Sequence, residues 1–262
     1  MPLLDVQQLC VFHGQFQALH EVNLQIHPGE VVAIIGANGA GKSSLLRALM
    51  GQADCTSASM RFDGDALDGV PTPQRVSRGL ALVPEGRRLF PSLSVAENLG
   101  IGVTLGQQRQ LRDAANTPRH DGFMLDDVLS LFPALRLLMP RLARQLSGGQ
   151  QQMVAIGRAL LMRPSLLMCD EISLGLAPVV IEEMYAVLPR IRERGISMLI
   201  VEQDLGRALS VADRFYCLLE GRVTLSGRPQ DTERDTIERH YFGLPSTSGA
   251  HATALNHSHE KR

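Results

Sequence analysis

The stretch Gly36-Ala37-Asn38-Gly39-Ala40-Gly41-Lys42-Ser43 has the spacing GxxxxGK[ST] and lies between an apolar run, Val31–Ile35, and a helical pattern over 43–50. Glycines in such a loop let the backbone curl so that its N–H groups, and the N-terminus of the following helix, point at negative charge. That is the geometry for holding nucleotide phosphates: Lys42 would reach the β- and γ-phosphates and Ser43 would ligate Mg²⁺. Gly36, Asn38, Gly39, Gly41, Lys42, Ser43 and Ser44 are therefore the candidate phosphate-contacting residues. Of the 26 basic residues 24 are Arg, and the only lysines are Lys42 and Lys261. A general bias toward Arg explains the shortage of Lys but not why one stands at position 42.

An acidic pair, Asp170-Glu171, closes the apolar run 166–169. Such a pair alone often only caps the next segment. Beside a phosphate loop it acquires two roles, Asp170 holding Mg²⁺ directly or through water and Glu171 polarising the attacking water. The combination predicts nucleoside-triphosphate hydrolysis.

Positioning these groups requires strands that end together. Strand patterns cover 3–11, 22–27, 31–35, 60–63, 80–83, 166–169 and 198–202, and a hairpin, 215–219 with 223–225, turns at Glu220-Gly221. Helical patterns cover 43–50, 153–162, 179–194, where Pro189 introduces a kink, and 205–211. Strands alternating with helices predict an α/β fold with a largely parallel sheet covered on both faces. The stretch from about 87 to 145 lacks β-branched runs, carries apolar residues at helical spacing in 128–132 and 135–142, and reads as a mostly helical insertion. From 246 to 262 the composition shifts to Ser, Thr, Ala and His, which predicts a disordered tail; its His251, His257 and His259 have no supporting Cys or Asp for a metal site.

Composition bounds the rest. With 262 residues and 44% hydrophobic side chains, one large α/β domain or two small ones can be built, and a disordered chain is excluded. The longest apolar runs are far short of the roughly 20 residues of a membrane-spanning helix, and 1–10 has no basic start or apolar core of a secretory signal. Four scattered cysteines without a CxxC pair suit a reducing cytosol. A net charge of −1 gives no reason to expect a nucleic-acid partner.

Leu146-Ser147-Gly148-Gly149-Gln150, between the helical insertion and a helix, resembles the LSGGQ signature of ABC-type ATPases, and from about residue 3 to 244 every motif stands in that family's order. The resemblance implies an ABC-type P-loop NTPase with a mainly parallel core sheet and a small antiparallel β-subdomain, together formed by 1–86 and 153–245, a helical signature subdomain at 87–152, and a tail at 246–262. It also implies ATP and Mg²⁺ as ligands, with Ser147 and Gly149 donating to the γ-phosphate of ATP held by an opposing subunit in a head-to-tail dimer.

Three departures from the common pattern resemble the second ATPase subunit of branched-chain amino-acid importers. Pro84-Glu85-Gly86-Arg87-Arg88-Leu89-Phe90-Pro91 puts Glu85 where most relatives have Gln, Val201-Glu202-Gln203-Asp204 puts Gln203 where most have a switch histidine, and Ala177 replaces an Asp. Glu85 would add a metal ligand or repel the γ-phosphate, whereas Gln203 can donate to that phosphate but cannot titrate near neutrality. Ile172 replaces the Pro that usually follows the catalytic Glu, and His13 stands in place of the aromatic that stacks on adenine, with Phe12 or Phe16 as substitutes. Arg87, Arg88 and Phe90 read either as the groove for a coupling helix or as a solvated basic turn with one buried aromatic.

The resemblance thus implies a peripheral ATPase at the cytoplasmic face of the inner membrane. Its partners would be transmembrane permease subunits, a paralogous ATPase or a second copy of itself, and, indirectly, an extracytoplasmic solute-binding protein. Urea, amides or other amino acids are alternative cargoes, and a nucleotide-binding regulator without turnover is the alternative function.

Overall fold

The computed structural model describes residues 1–113 and 122–244; the predicted tail and its histidines lie outside them. In chain order the elements begin with β1 (Leu4–His13), β2 (Phe16–Ile26), β3 (Val31–Ile35), α1 (Lys42–Leu49), β4 (Asp54–Thr56), β5 (Ser59–Phe62), β6 (Asp65–Ala66), α2 (Thr72–Arg78) and β7 (Leu80–Val83). Next come α3 (Val95–Asp113), α4 (Leu125–Leu131), α5 (Leu135–Leu138) and α6 (Gly148–Leu161). The chain continues with β8 (Leu166–Asp170), α7 (Pro178–Ala186), α8 (Leu188–Glu193), β9 (Ser197–Glu202), α9 (Leu205–Val211), β10 (Arg214–Leu219), β11 (Arg222–Gly227) and α10 (Arg234–Phe242).

Two sheets result. One is antiparallel, β2-β1-β5-β6 with β4 also on β1; the other runs β11-β10-β3-β9-β8-β7 and is parallel except for the β10/β11 hairpin. Strands β3, β8 and β9 are buried at every residue, which is why they read as unbroken apolar runs. Their side chains nonetheless sort strictly by parity. Leu167, Cys169, Met198 and Ile200 join the cluster under α3–α8, whereas Leu166, Met168, Leu199 and Val201 pack toward α1 and the antiparallel sheet. A pleated strand with period 2 feeds both cores at once.

Because β3, β9, β8 and β7 are adjacent and parallel, all four C-terminal ends emerge on one side. Those ends lead into Gly36, Gln203, Glu171 and Pro84 respectively. Ligands of open α/β sheets bind at that edge.

The structure revises several expected elements. The first two strands are longer than predicted and meet in a hairpin at Gly14-Gln15, while β4, β6, α2 and α10 were not legible. The helix expected over 179–194 is divided at Val187, with Pro189 in the first turn of α8, where its missing N–H costs nothing. Helix α6 starts at Gly148 rather than 153, so the signature is its first turn. Phe90 is half exposed, not buried.

A buried arginine was also missed. Arg75 in α2 is 3% exposed and donates to the carbonyls of Ala48, Leu49, Leu67 and Val70. At the end of α1 Ala48 also accepts the Gly51 N–H, so the guanidinium supplements one terminal carbonyl and supplies a donor to the next. Arg75→Ala would leave buried acceptors unmet and is expected to cost about 1–3 kcal/mol, read as a lower denaturant midpoint at unchanged slope. An unaltered midpoint would show that water replaces the guanidinium without loss.

Candidate functional site

The phosphate loop owes its shape to local chemistry. Gly41, at φ 101°, caps α1, and a Cβ there would meet Leu19 Cδ2 at 2.5 Å; at Gly36 it would meet the Leu218 carbonyl oxygen at 2.4 Å. The loop is thus pressed against β2 and β10, and only glycine fits. Asn38 and Gly39 are exposed at its tip.

Lys42 is buried, at 4% exposure, and its Nζ donates to the carbonyls of Gly36 (2.9 Å) and Ala37 (3.1 Å) and pairs with Glu171 Oε1 at 3.2 Å. The other Glu171 oxygen accepts from Gln203 Nε2 at 2.6 Å. Among the described residues no imidazole hydrogen-bonds to Glu171. Ser43 Oγ donates to Asp170 Oδ1 at 3.2 Å. Burial pushes the Asp170 carboxyl up, the Ser43 bond and Lys42 pull it down, and the charges of Glu171 and Glu85 push it up. The structure thus brings together Gly36, Lys42, Ser43, Asp170, Glu171 and Gln203, from three separate stretches of the chain.

Glu85 is exposed and shares with Ser43, Asp170, Arg47, Arg88 and Arg158 a cleft of about 300 Å³. A hydroxyl and a carboxylate in contact, with a second carboxylate across the cleft, are hard oxygen donors suited to Mg²⁺. No group of three or more His, Cys, Asp or Glu among the described residues forms a closed metal cage.

At the other side of the loop His13 is exposed and its Nε2 lies 2.9 Å from Ser44 Oγ, tying the β1/β2 hairpin to α1. Phe12 and His13 line a depression of about 480 Å³ with residues 51–54, while Phe16, opposite His13 across the hairpin, is 70% exposed.

The signature is elsewhere. Ser147 caps α6: its Oγ accepts from the Gln150 N–H at 3.3 Å and Gln150 Oε1 accepts from the Ser147 N–H at 3.0 Å. Ser147 is exposed, Gly149 is buried, and no hydrogen bond or ion pair of the described residues joins 147–150 to the phosphate loop.

Two polar residues connect these parts. Arg158 in α6 donates to the carbonyls of Arg87 (3.4 Å) and Arg88 (3.0 Å) and lies over the Phe90 ring. Fully buried Asn98 in α3 accepts from the Phe90 N–H and donates to the carbonyls of Phe90, Leu93 and Ser94. The loop bearing Glu85, in which Gly86, Arg87 and Arg88 all have positive φ, is thereby fastened to the signature helix. Neither residue was found from sequence, because a polar residue on a helical pattern reads as solvated.

The profile of the ABC transporter family matches residues 19–173. The chain is 40% identical to the high-affinity branched-chain amino acid transport ATP-binding protein BraG of Pseudomonas aeruginosa, over 85% of this chain and 91% of that protein. It is 30% identical to the probable branched-chain amino acid transport ATP-binding protein LivF of Archaeoglobus fulgidus, over 92% and 99% respectively. The crystal structure of the ADP conformation of MJ1267, an ATP-binding cassette of an ABC transporter, superposes with a TM-score of 0.73 at 26% identity, over 91% of this chain and 94% of that one. Strand-end chemistry, signature, fold and relatives agree: the chain belongs to the ABC transporter family, as one of its ATP-binding, ATP-hydrolysing subunits.

Proposed function

We propose that this subunit powers uptake of branched-chain or similar hydrophobic amino acids, with Lys42 gripping the ATP phosphates and Glu171 orienting the attacking water. The observation that carries the mechanism is the contact of Lys42 and Gln203 with the two oxygens of one carboxylate, Glu171, beside the Ser43–Asp170 pair. The ammonium that now neutralises Glu171 is the group the phosphates demand. As ATP draws Lys42 away, Glu171 is left charged and held by Gln203, ready to take up a water proton. Ser43 and Asp170 would hold Mg²⁺, with Glu85 facing it across the cleft; the ion would supply charge neutralisation to the transferring phosphoryl group.

Ser147 and Gly149, which make no bond to their own phosphate loop, serve the ATP of an opposing subunit, a paralogue or a second copy. The core made by 1–86 and 153–245 and the helical part at 87–152, joined through the single helix α6, then form one half of the ATP-driven clamp, the opposing subunit being the other. Arg87, Arg88 and half-exposed Phe90, on the loop after β7, suit the groove for a coupling helix from a permease subunit. Among the described residues no helix is long and apolar enough to cross a membrane, so the membrane path belongs to such partners, on whose cytoplasmic side this subunit docks. Adenine stacks against the hairpin ring at position 13 or its neighbours Phe12 and Phe16.

Cargo is tested by deleting the gene and following labelled leucine uptake, with glutamine as the control. Loss of leucine uptake alone is expected; loss of glutamine uptake alone would reassign the cargo.

The site also makes a pH prediction. With Gln203 on Glu171, the kcat profile should have no histidine limb near about pH 6.5, and Gln203→His should introduce one, activity being lost as the new imidazole protonates. A wild-type limb that survives replacement of His13 and His20 by Gln would place the titrating group elsewhere.

A further inference from the structure

Glu202 is the last residue of β9, 1% exposed, and carries a carboxylate with no cation beside it: among the described residues no ion pair includes it. Such a group is costly to bury unless its oxygens are hydrogen-bonded. Its two oxygens accept from a single residue, Ser173, one from the backbone N–H at 3.2 Å and the other from Oγ at 2.9 Å. Burial pushes the Glu202 carboxyl up, the Ser173 hydroxyl, the neighbouring Tyr185 hydroxyl and the Ser173 N–H pull it down, and the charge of Glu171 pushes it up. The Tyr185 hydroxyl of α7 lies beside it without meeting hydrogen-bond geometry, and the Cys169 thiol of β8 is pushed up to about 12, first by its own burial and then by the charge of Glu202.

The partner residue matters because of what precedes it. Glu171 has φ 49°, a left-handed conformation that a side chain with a Cβ adopts only when its surroundings over-determine it. Three successive residues supply that determination. Val201 accepts the Glu171 N–H at 2.9 Å, Gln203 donates to the Glu171 carboxylate, and Glu202 grips Ser173 two residues on. Buried Ile172, a Leu174 N–H bond to the Glu171 carbonyl at 3.1 Å and Leu176 packed on the core also hold this segment. The side chains of Leu174, Ala177 and Pro178 are exposed, however, and Ala177 caps α7 without any side-chain bond, which leaves Ser173 as the polar side chain that ties the segment to β9.

We propose that Glu202 is a positioning residue, its carboxylate clamping Ser173 so that Glu171 is held in the one backbone conformation that aims its carboxylate at Lys42 and Gln203. The assignment rests on the reading of Glu171 as the group that orients water. A misplacement of about 1 Å at a reacting group costs up to about 100-fold, so Glu202→Ala should lower kcat by about 10- to 100-fold with KM for ATP unchanged, since the phosphate loop is untouched. Glu202→Gln should recover most of the rate, because its amide oxygen still accepts the Ser173 N–H and its NH₂ donates to Ser173 Oγ. Ser173→Ala should lower kcat partially, and should cost nothing more in the Glu202→Ala background.

Single-turnover ATP hydrolysis per folded molecule, with the folded fraction from unfolding curves, is the measurement. Losses that multiply in the double variant, or a Glu202→Ala loss fully accounted for by a smaller folded fraction, would overturn the proposal. If Glu202→Ala does not fold, Ser173→Ala at wild-type kcat overturns it alone. Glu171→Gln is run alongside: if that variant keeps wild-type turnover, the reading of Glu171 has failed rather than the clamp.

Discussion

Replacing Glu171 by Gln is expected to cut ATP hydrolysis by roughly 10²–10⁴ while leaving ATP binding in place. The amide keeps the length of the side chain and one acceptor oxygen, so the contacts now made with Lys42 at 3.2 Å and Gln203 at 2.6 Å are weakened rather than abolished. What disappears is the negative charge that orients water and receives its proton. ATP that is bound but not consumed then acts as a cross-link, because a ligand held only by the closed pair stabilises that pair by mass action. Light scattering of Glu171→Gln should therefore show a dimer that requires ATP, with itself or more tightly with a paralogous partner. Adding Ser147→Arg should dissolve it, since Ser147 is an exposed helix cap and a guanidinium there disturbs nothing in the core. A Glu171→Gln protein that stays monomeric at saturating ATP with every partner present would refute the closing dimer.

Lys42→Ala should lower turnover by at least about 10²-fold, the scale of removing one charge-stabilising donor from a transition state. The fold should survive, as the far-UV circular dichroism would show, because the ammonium bonds two loop carbonyls and one carboxylate and fills no apolar core site. Lysine-directed labelling offers an independent check. With only Lys261 and the N-terminal amine competing, Mg-ATP should protect a single lysine, and equal labelling with and without nucleotide would remove the phosphate-loop assignment.

The phosphate loop, the acidic pair and the signature were legible because each is local. A strand, a glycine turn and a helix within about a dozen residues specify a backbone shape without reference to the rest of the chain, and glycine, lysine and serine are there for reasons the sequence itself exposes. The same locality made β3, β8 and β9 readable as apolar runs, though not which of their side chains face the helices and which the antiparallel sheet: burial on both faces erases the alternation from the sequence.

Tertiary structure decided everything whose partner is a backbone group far along the chain. Arg158 reaches carbonyls 70 and 71 residues away, Arg75 reaches one 27 residues away, and Glu202 takes an N–H 29 residues away. A carbonyl or an N–H carries no residue identity, so nothing in the order of side chains announces such a bond. The juxtaposition of Lys42, Glu171 and Gln203 is of the same kind. It exists because β3, β8 and β9 run parallel as neighbours and end together. The sequence by itself therefore determined which chemistry this protein carries, and strand order in one sheet determined which of its groups meet.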